Sequence, residues 1–178
     1  MDSPPLLTFD LDGVLCRPPF GINPGTGKNK SRETPGTPGL LWRTEAWRYR
    51  WRRPMPGAIE GFTALAKEFR CVVVTARGKP AEAVTREWLR HYLGATPELH
   101  LRPDWTETSA QYKARKMREL QPLAHFEDDP FTAKWVSELV LHVFLVDWPR
   151  NRALMGSNIH RIQRLADASE TLDGVRLG

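Results

Sequence analysis

The sequence predicts an α/β fold, a Rossmann-like parallel sheet sandwiched by helices. Three short apolar runs, at positions 6–9, 71–74 and 139–146, show little of the polar–apolar alternation of half-exposed strands. Such runs are typical of strands that are covered on both faces. Helical patterns separate them, and strands that alternate with helices favour a parallel sheet with helices on its faces.

The remaining elements follow from apolar spacing and from boundary residues. Weaker strand candidates lie at 99–102 and 123–126. Helical patterns begin near Pro56, near Pro80, near Glu107 and after Pro130, and proline is favoured in the first turn of a helix. Gly94 stands where the second helix is expected to end, because glycine readily adopts the left-handed conformation of a helix C-terminus.

Length and composition predict a single domain over residues 1–178. The chain has 178 residues, 40% hydrophobic and 26% charged, so it is long enough to bury a core and is not expected to be disordered. It has no apolar stretch near the roughly 20 residues of a membrane span and no secretory signal at its start. We interpret Cys16 and Cys71 as reduced, packed thiols of a cytoplasmic protein.

The charge balance predicts anionic partners. The formal net charge is +5 and the sequence pI is about 9.5. These values favour anionic ligands without distinguishing a phosphorylated small molecule from nucleic acid. We expect a phosphorylated small-molecule substrate and no membrane partner; nucleic acid stays open, as does the choice between a monomer and a homodimer.

An insertion at 17–53 interrupts the alternation of strands and helices. Its first part is rich in proline, glycine, lysine and asparagine, and its second part is rich in tryptophan and arginine. The composition predicts a mobile loop at 18–39, because it offers few apolar side chains to hold it down, followed by a short basic and aromatic helix. We interpret it as an insertion into one domain rather than a linker between two equal domains.

Two carboxylates follow the first predicted strand. Asp10 and Asp12 precede Gly13, where the chain can turn. Ligands of open α/β sheets bind at the carboxyl ends of strands, and two acids this close repel each other unless a cation or proton lies between them. The pattern therefore indicates a Mg²⁺ site, although an acidic, solvated turn would have the same sequence.

Two further motifs carry groups that could hold a phosphate. Thr75 ends the second predicted strand, and Ala76 and Arg77 follow where free backbone amides are expected. Lys113 lies on the apolar side of the third helix and either reaches an anion or extends its ammonium to solvent. A threonine that merely ends a strand is the alternative for Thr75.

Three consecutive acids, Glu127, Asp128 and Asp129, lie between a short strand and the helix at Pro130. One of them could cap that helix, since acids stabilise a helix N-terminus. Three together exceed what a cap needs and suit a hard cation.

The order of these motifs resembles the four-motif layout of the haloacid dehalogenase superfamily, over about residues 4–148. The second motif, the acidic cluster and the segment at 146–151 are also similar to its deoxyribonucleotidase-like branch. The resemblance implies a Rossmann-like core. Because an aspartate stands at position 12, it also implies phosphoryl transfer rather than dehalogenation.

The resemblance also implies roles for individual residues. Asp10 would be the nucleophile that forms an aspartyl-phosphate, and Asp12 the general acid and then base. Thr75 and Lys113 would hold the transferring phosphoryl group, with Lys116 as a substitute for Lys113. Substrate contacts are expected from Thr75, Ala76, Arg77 and Lys113.

The metal ligands implied by the resemblance are the side chains of Asp10 and Asp128 and the backbone carbonyl of Asp12. These oxygen donors suit Mg²⁺, which is the expected cofactor. Glu127 and Asp129 would contribute from outside this set or through water.

The resemblance implies that the insertion at 17–53 is a flap or minimal cap over the site, and it is expected to decide the substrate. One helix and one strand fill the gap between Gly78 and Lys113, so no second cap is expected there. Trp47 and Arg50 could bind a base and a phosphate of the substrate. Alternatively, Trp47 and Trp51, one helical turn apart, only pack the flap onto the domain.

Three functions are consistent with the sequence. The first is a Mg²⁺-dependent phosphomonoester hydrolase for a nucleotide or other small phosphate. The second is an end-processing phosphatase for nucleic acid. The third is a non-catalytic protein of this fold that binds nucleic acid or a protein partner.

Overall fold

One parallel sheet forms the centre of the molecule. The structure, a computed structural model, describes residues 3–18, 35–36, 47 and 49–176. Within these residues the sheet has six strands in the order β3-β2-β1-β4-β5-β6. The strands are β1 Leu6–Phe9, β2 Arg70–Gly78, β3 Glu98–Arg102, β4 Ala124–Glu127, β5 His142–Val146 and β6 Ile159–Ile162.

Helices connect the strands and cover the sheet. They are α1 Ala58–Leu65, α2 Glu82–Leu93, α3 Ser109–Leu120, α4 Pro130–Val136 and α5 Ser169–Arg176. Gly94 ends α2 in the left-handed conformation, with φ of 72°, as predicted from the sequence. The α/β fold class is confirmed. None of these helices has the length and apolar character needed to cross a bilayer.

The sheet is covered on both faces because successive side chains of its strands point in opposite directions. Val73 packs with residues of α1 and α2 on one face, whereas Val72 and Val74 pack with residues of α3 and α4 on the other. This double burial explains why the central strands lack polar–apolar alternation.

An aromatic row crosses the three middle strands on one face. Phe9, Phe126 and Phe144 lie in register on β1, β4 and β5. Their rings stack with centroids 4.4 and 4.8 Å apart, and the Phe62 ring meets Phe9 edge-on at 4.9 Å. The row holds β1 and β4 side by side, directly below their carboxyl ends.

Several element boundaries differ from the predictions. β2 continues to Gly78 instead of ending near residue 75, and β5 begins at His142 rather than at 139. β6 and α5 were not predicted. Cys16 is buried and Cys71 half-buried, and both are free thiols.

The insertion at 17–53 is described only in part. Most of the predicted loop at 18–39 lies outside the described residues, and the predicted basic helix is described only at 47 and 49–53. The described end of the insertion pairs with the segment that follows β1. The Arg17 amide donates to the Arg53 carbonyl at 2.7 Å, and the Met55 amide donates to the Leu15 carbonyl at 2.8 Å. The flap interpretation itself stays a prediction.

Candidate active site

A buried acidic group lies at the carboxyl edge of the two central strands. Asp10 directly follows β1, and Glu127 and Asp128 stand at the end of β4. One ligand oxygen from each of these three carboxylates lies within 4.8 Å of the others, and all three residues are buried. Strand pairing brings them together, because β1 and β4 are neighbours and run in parallel.

Lys113 is the cation at the centre of this group. Its Nζ atom lies 3.0 Å from Asp10 Oδ1 and 2.6 Å from Glu127 Oε2, and its side chain is fully buried. Burial by itself would lower the pKa of Lys113, but the two carboxylates raise it above its ordinary value. Lys113 is therefore charged inside the site, and the alternative of an ammonium extended to solvent is wrong. Lys116 instead pairs with Glu119 at 2.6 Å.

The three consecutive acids have three different environments. Glu127 pairs with Lys113 and accepts the backbone amides of Asp128 and Asp129 at 3.0 and 3.1 Å. The Asp128 carboxylate belongs to the acidic group, together with those of Asp10 and Glu127. Asp129 caps α4, since its Oδ2 atom accepts both the amide and the hydroxyl of Thr132 at 2.8 Å. Glu127 belongs to the group of carboxylates that could hold a metal ion, and its place inside or outside the ligand set stays a prediction. The hydrogen bonds of Asp129 confirm that it caps α4.

Gly13 allows the turn after Asp12 to approach the acidic group. Its φ is +89°, a conformation that glycine adopts without strain, and a Cβ atom at this position would overlap the Asp128 carboxylate. The Gly13 carbonyl accepts the indole N–H of Trp148 at 3.3 Å. The turn is thus held between β4 and the segment that follows β5.

Asp12 is held by a buried arginine. Arg77 donates from Nε to Asp12 Oδ2 at 2.7 Å and from Nη2 to Oδ1 at 2.8 Å. Arg52 adds a longer contact from Nη1 to Oδ1 at 3.4 Å. Two-point pairing of this kind fixes both position and orientation of a carboxylate. The sequence predicted substrate contacts for Arg77, whereas the structure places its guanidinium on Asp12.

The rest of the Arg77 side chain is also enclosed. Its guanidinium lies 3.8 Å from the centroid of the Tyr49 ring and donates to Thr85 Oγ1 at 3.1 Å. It also contacts Cys16 Sγ at 3.3 Å, and burial raises the pKa of that thiol to about 12, so the thiol stays neutral. Arg77 thus connects the described end of the insertion to Asp12.

Thr75 lies on β2 at the same edge of the sheet, and it is buried. Its hydroxyl oxygen accepts the Arg77 amide at 3.3 Å. The pairing of β2 with β3 is irregular between Thr75 and Gly78, so Ala76 and Arg77 lie in a bulge instead of at the start of a helix. Bulges redirect side chains near functional sites, and this one turns Arg77 toward Asp12.

Arg150 was assigned no role by the sequence analysis. Its Nη2 atom donates to Asp128 Oδ2, and its guanidinium lies 5.3 Å from the centroid of the Trp148 ring. Asn151 donates to the Asp128 carbonyl at 3.0 Å and to the Val146 carbonyl at 2.7 Å. Arg150 thereby offsets negative charge in the acidic group. The sequence feature that could have indicated this role is the position of an arginine shortly after the core strand β5.

Trp47 and Trp51 do not pack the insertion onto the domain. The exposed fraction is 74% for Trp47 and 81% for Trp51, so the packing alternative is wrong for these two side chains. Tyr49, which lies between them, is buried against Arg77. Arg50 is exposed, with its guanidinium 5.8 Å from the centroid of the Trp51 ring.

The fold resembles those of solved hydrolases, among them haloacid dehalogenase-like proteins from Streptococcus pneumoniae and Xanthomonas campestris. A phosphonoacetaldehyde hydrolase-like protein from Oleispira antarctica superposes with a TM-score of 0.68 at 13% identity, over 99% of this chain and 94% of that one. The chain has the haloacid dehalogenase-like fold. The fold implied by the four motifs is therefore confirmed. At this level of identity the similarity establishes the fold alone.

Two other solved structures share the fold. D,D-heptose 1,7-bisphosphate phosphatase from B. bronchiseptica, complexed with magnesium and phosphate, has a TM-score of 0.59 and 11% identity, over 96% of this chain and 99% of that one. A chain of the Pnkp1/Rnl/Hen1 RNA repair complex has a TM-score of 0.59 and 16% identity, over 83% of this chain and 45% of that one. No family model matches the sequence, and no curated protein is significantly similar to it.

Proposed function

We propose that the chain is a Mg²⁺-dependent phosphomonoester hydrolase of the cytoplasm that forms an aspartyl-phosphate on Asp10. The observation that carries the proposal is the pairing of Asp10 with the buried ammonium of Lys113, inside a group of three carboxylates. A nucleotide or other small phosphate is the proposed substrate. The solved structures with this fold include a phosphatase complexed with magnesium and phosphate, which supports the proposal.

The donor set fits a hard divalent cation. Asp10, Glu127 and Asp128 offer oxygen atoms only, and Mg²⁺ prefers such ligands. We propose that Asp10 and Asp128 hold the ion together with the backbone carbonyl of Asp12, and that Glu127 is a further ligand or orients Lys113. When bound, the ion offsets the repulsion between a phosphate dianion and these carboxylates.

The chain's own residues account for both steps of the reaction. In the first step an Asp10 oxygen forms a bond to phosphorus and the ester P–O bond breaks. Asp12 must carry a proton for this step, and it gives that proton to the departing oxygen. Lys113 and Thr75 stabilise negative charge on the phosphoryl oxygens. In the second step Asp12 accepts a proton from the attacking water, and phosphate and free Asp10 are released. Arg77 orients Asp12 in its ionised form, and one of the two hydrogen bonds between them must open while Asp12 carries a proton.

A substrate panel tests the proposal directly. Purified protein with Mg²⁺ is assayed for phosphate release from nucleoside monophosphates, sugar phosphates and p-nitrophenyl phosphate. We expect hydrolysis of at least one phosphomonoester and none of a phosphodiester of the same nucleoside. Absence of phosphate release across the whole panel and from a phosphorylated oligonucleotide would contradict the proposal and favour a non-catalytic binding protein.

The role of Asp12 predicts a dependence on the leaving group. Asp12→Asn retains the shape of the side chain but cannot donate the proton, so kcat should fall by roughly 10²–10⁴-fold. The loss should be larger for an alkyl phosphate than for p-nitrophenyl phosphate, whose leaving group departs without a proton. Steady-state kinetics with both esters measures this difference. Equal losses on the two esters would contradict general acid catalysis by Asp12.

A further inference from the structure

A groove opens beside the candidate active site, between the described end of the insertion and α2. Its volume is about 770 Å³. Residues 50–53 form one wall, and the exposed side of α2 forms the other. The acidic group of Asp10 is not part of its lining, so the groove is a separate surface from the phosphate site.

The walls of the groove carry an excess of positive charge. Four arginines line it, namely Arg50, Arg52, Arg53 and Arg90, and the Arg52 guanidinium also contacts Asp12. Among the described lining residues, Glu87 is the single carboxylate. This imbalance favours an anionic ligand with several charges rather than one, because the cations are contributed from both walls.

Aromatic side chains lie between these cations. Trp51 is 81% exposed and is the ring available for stacking, whereas Trp88 on the α2 wall is buried in the core, and the half-buried Tyr92 ring lies 4.9 Å from it. A large exposed indole beside arginine offers a flat apolar surface on which a planar base can stack. Alternating cations and exposed aromatic rings are the features by which proteins bind single-stranded nucleic acid without sequence preference.

One residue connects the groove to the active site. The Arg52 guanidinium lies 3.4 Å from Asp12 Oδ1, while its backbone carbonyl accepts the Trp88 indole N–H at 2.7 Å. The groove therefore ends within one side chain of the proposed general acid. A strand that continued from the groove past Arg52 would bring its end next to Asp12.

We infer that this groove binds a segment of single-stranded nucleic acid and directs its terminal phosphate to Asp10. The inference rests on the proposed function and specifies its substrate as the phosphorylated end of a strand. The strand's bases stack on Trp51, and its phosphates pair with the arginines of both walls. A mononucleotide would use the active site and only the nearest part of the groove.

Binding is tested first, without any chemistry. Fluorescence anisotropy measures the Kd of a labelled single strand of about 12 nucleotides with a 3′-hydroxyl end, a length within the range of known single-strand sites. Trp51→Ala should weaken binding by about 5- to 150-fold, the equivalent of ~1–3 kcal/mol for a lost stacking contact. Arg90→Ala should make the slope of log K against log salt less steep by about 0.7, because one phosphate contact is lost.

Matched controls come from the other side of the molecule. Trp135 and Arg118 lie on α4 and α3 and are also exposed. Trp135→Ala and Arg118→Ala should leave the Kd within twofold of wild type. Equal weakening by the control and groove variants, or equally tight binding of poly-glutamate, would overturn the inference in favour of a general attraction of anions.

Catalysis is tested second, by a ratio of two substrates. We measure kcat/KM for an oligonucleotide with a 3′-terminal phosphate relative to kcat/KM for p-nitrophenyl phosphate. The ratio should fall in Trp51→Ala and stay constant in Trp135→Ala. If the small ester is hydrolysed but the strand does not bind, the inference fails and the proposed function stands. If the strand binds but no ester is hydrolysed, the groove is supported and the proposed function fails.

Discussion

Asp10→Asn should lower kcat by at least roughly 10⁴-fold, because the amide cannot replace the carboxylate as the attacking group. The substitution changes neither the size nor the burial of the side chain, and Lys113 keeps its pairing with Glu127 at 2.6 Å. The fold should therefore persist, as measured by circular dichroism and thermal unfolding. The matched control is Asp173→Asn, at an exposed position of α5, which should retain wild-type activity.

The intermediate provides a second measurement of the same prediction. Acid quenching of wild-type protein during turnover of a substrate with a radiolabelled phosphoryl group should trap label on the protein. Asp10→Asn should trap none. A folded Asp10→Asn variant that keeps more than about one per cent of wild-type kcat would contradict covalent catalysis by Asp10.

Removal of divalent metal should abolish activity below detection. The acidic group offers carboxylate oxygens as donor atoms, with no imidazole nitrogen or thiolate in the set. Mg²⁺ should therefore restore activity after EDTA treatment, and Zn²⁺ should not. Mg²⁺ should also raise the Tm, since a ligand bound only by the folded state stabilises it by about 2.7 kcal/mol at 100 times its Kd.

Asp128→Asn separates this metal effect from a general salt effect. The variant should need a higher Mg²⁺ concentration for half-maximal activity and should show a smaller rise in Tm, whereas Asp173→Asn should respond like wild type. Full activity in EDTA, or restoration by Zn²⁺ alone, would contradict the metal assignment.

The sequence predicted the central strands well because both faces of these strands are buried. Residues such as Val72, Val73 and Val74 pack alternately on opposite faces, so each has to be apolar. The edge strand β6 escaped prediction because it contains His160 and Arg161 and is only partly buried. A strand that is buried on one face at the edge of a sheet has a much weaker pattern of apolar residues in its sequence.

The candidate site was predicted in its centre and missed at its margins. Asp10, Lys113 and Asp128 were found because each stands beside a strand or on a helix face that the apolar pattern defines. The pairing of Arg77 with Asp12 depends on a bulge in β2, and the position of Arg150 depends on the turn after β5. Neither feature has a repeating pattern, so the apolar spacing that located the strands did not locate them.

The middle position of β1 in the sheet has a consequence for the order of folding. β1 precedes both of its partners along the chain: β2 and β4 come much later, and Thr8 meets His125 across 117 positions of sequence. Contacts of such long range slow folding, because the chain must close large loops before they form. A nascent chain that ends before residue 124 has no β4 to cover the open side of β1. That strand, with its buried leucine and phenylalanine, is therefore the segment most in need of protection during synthesis.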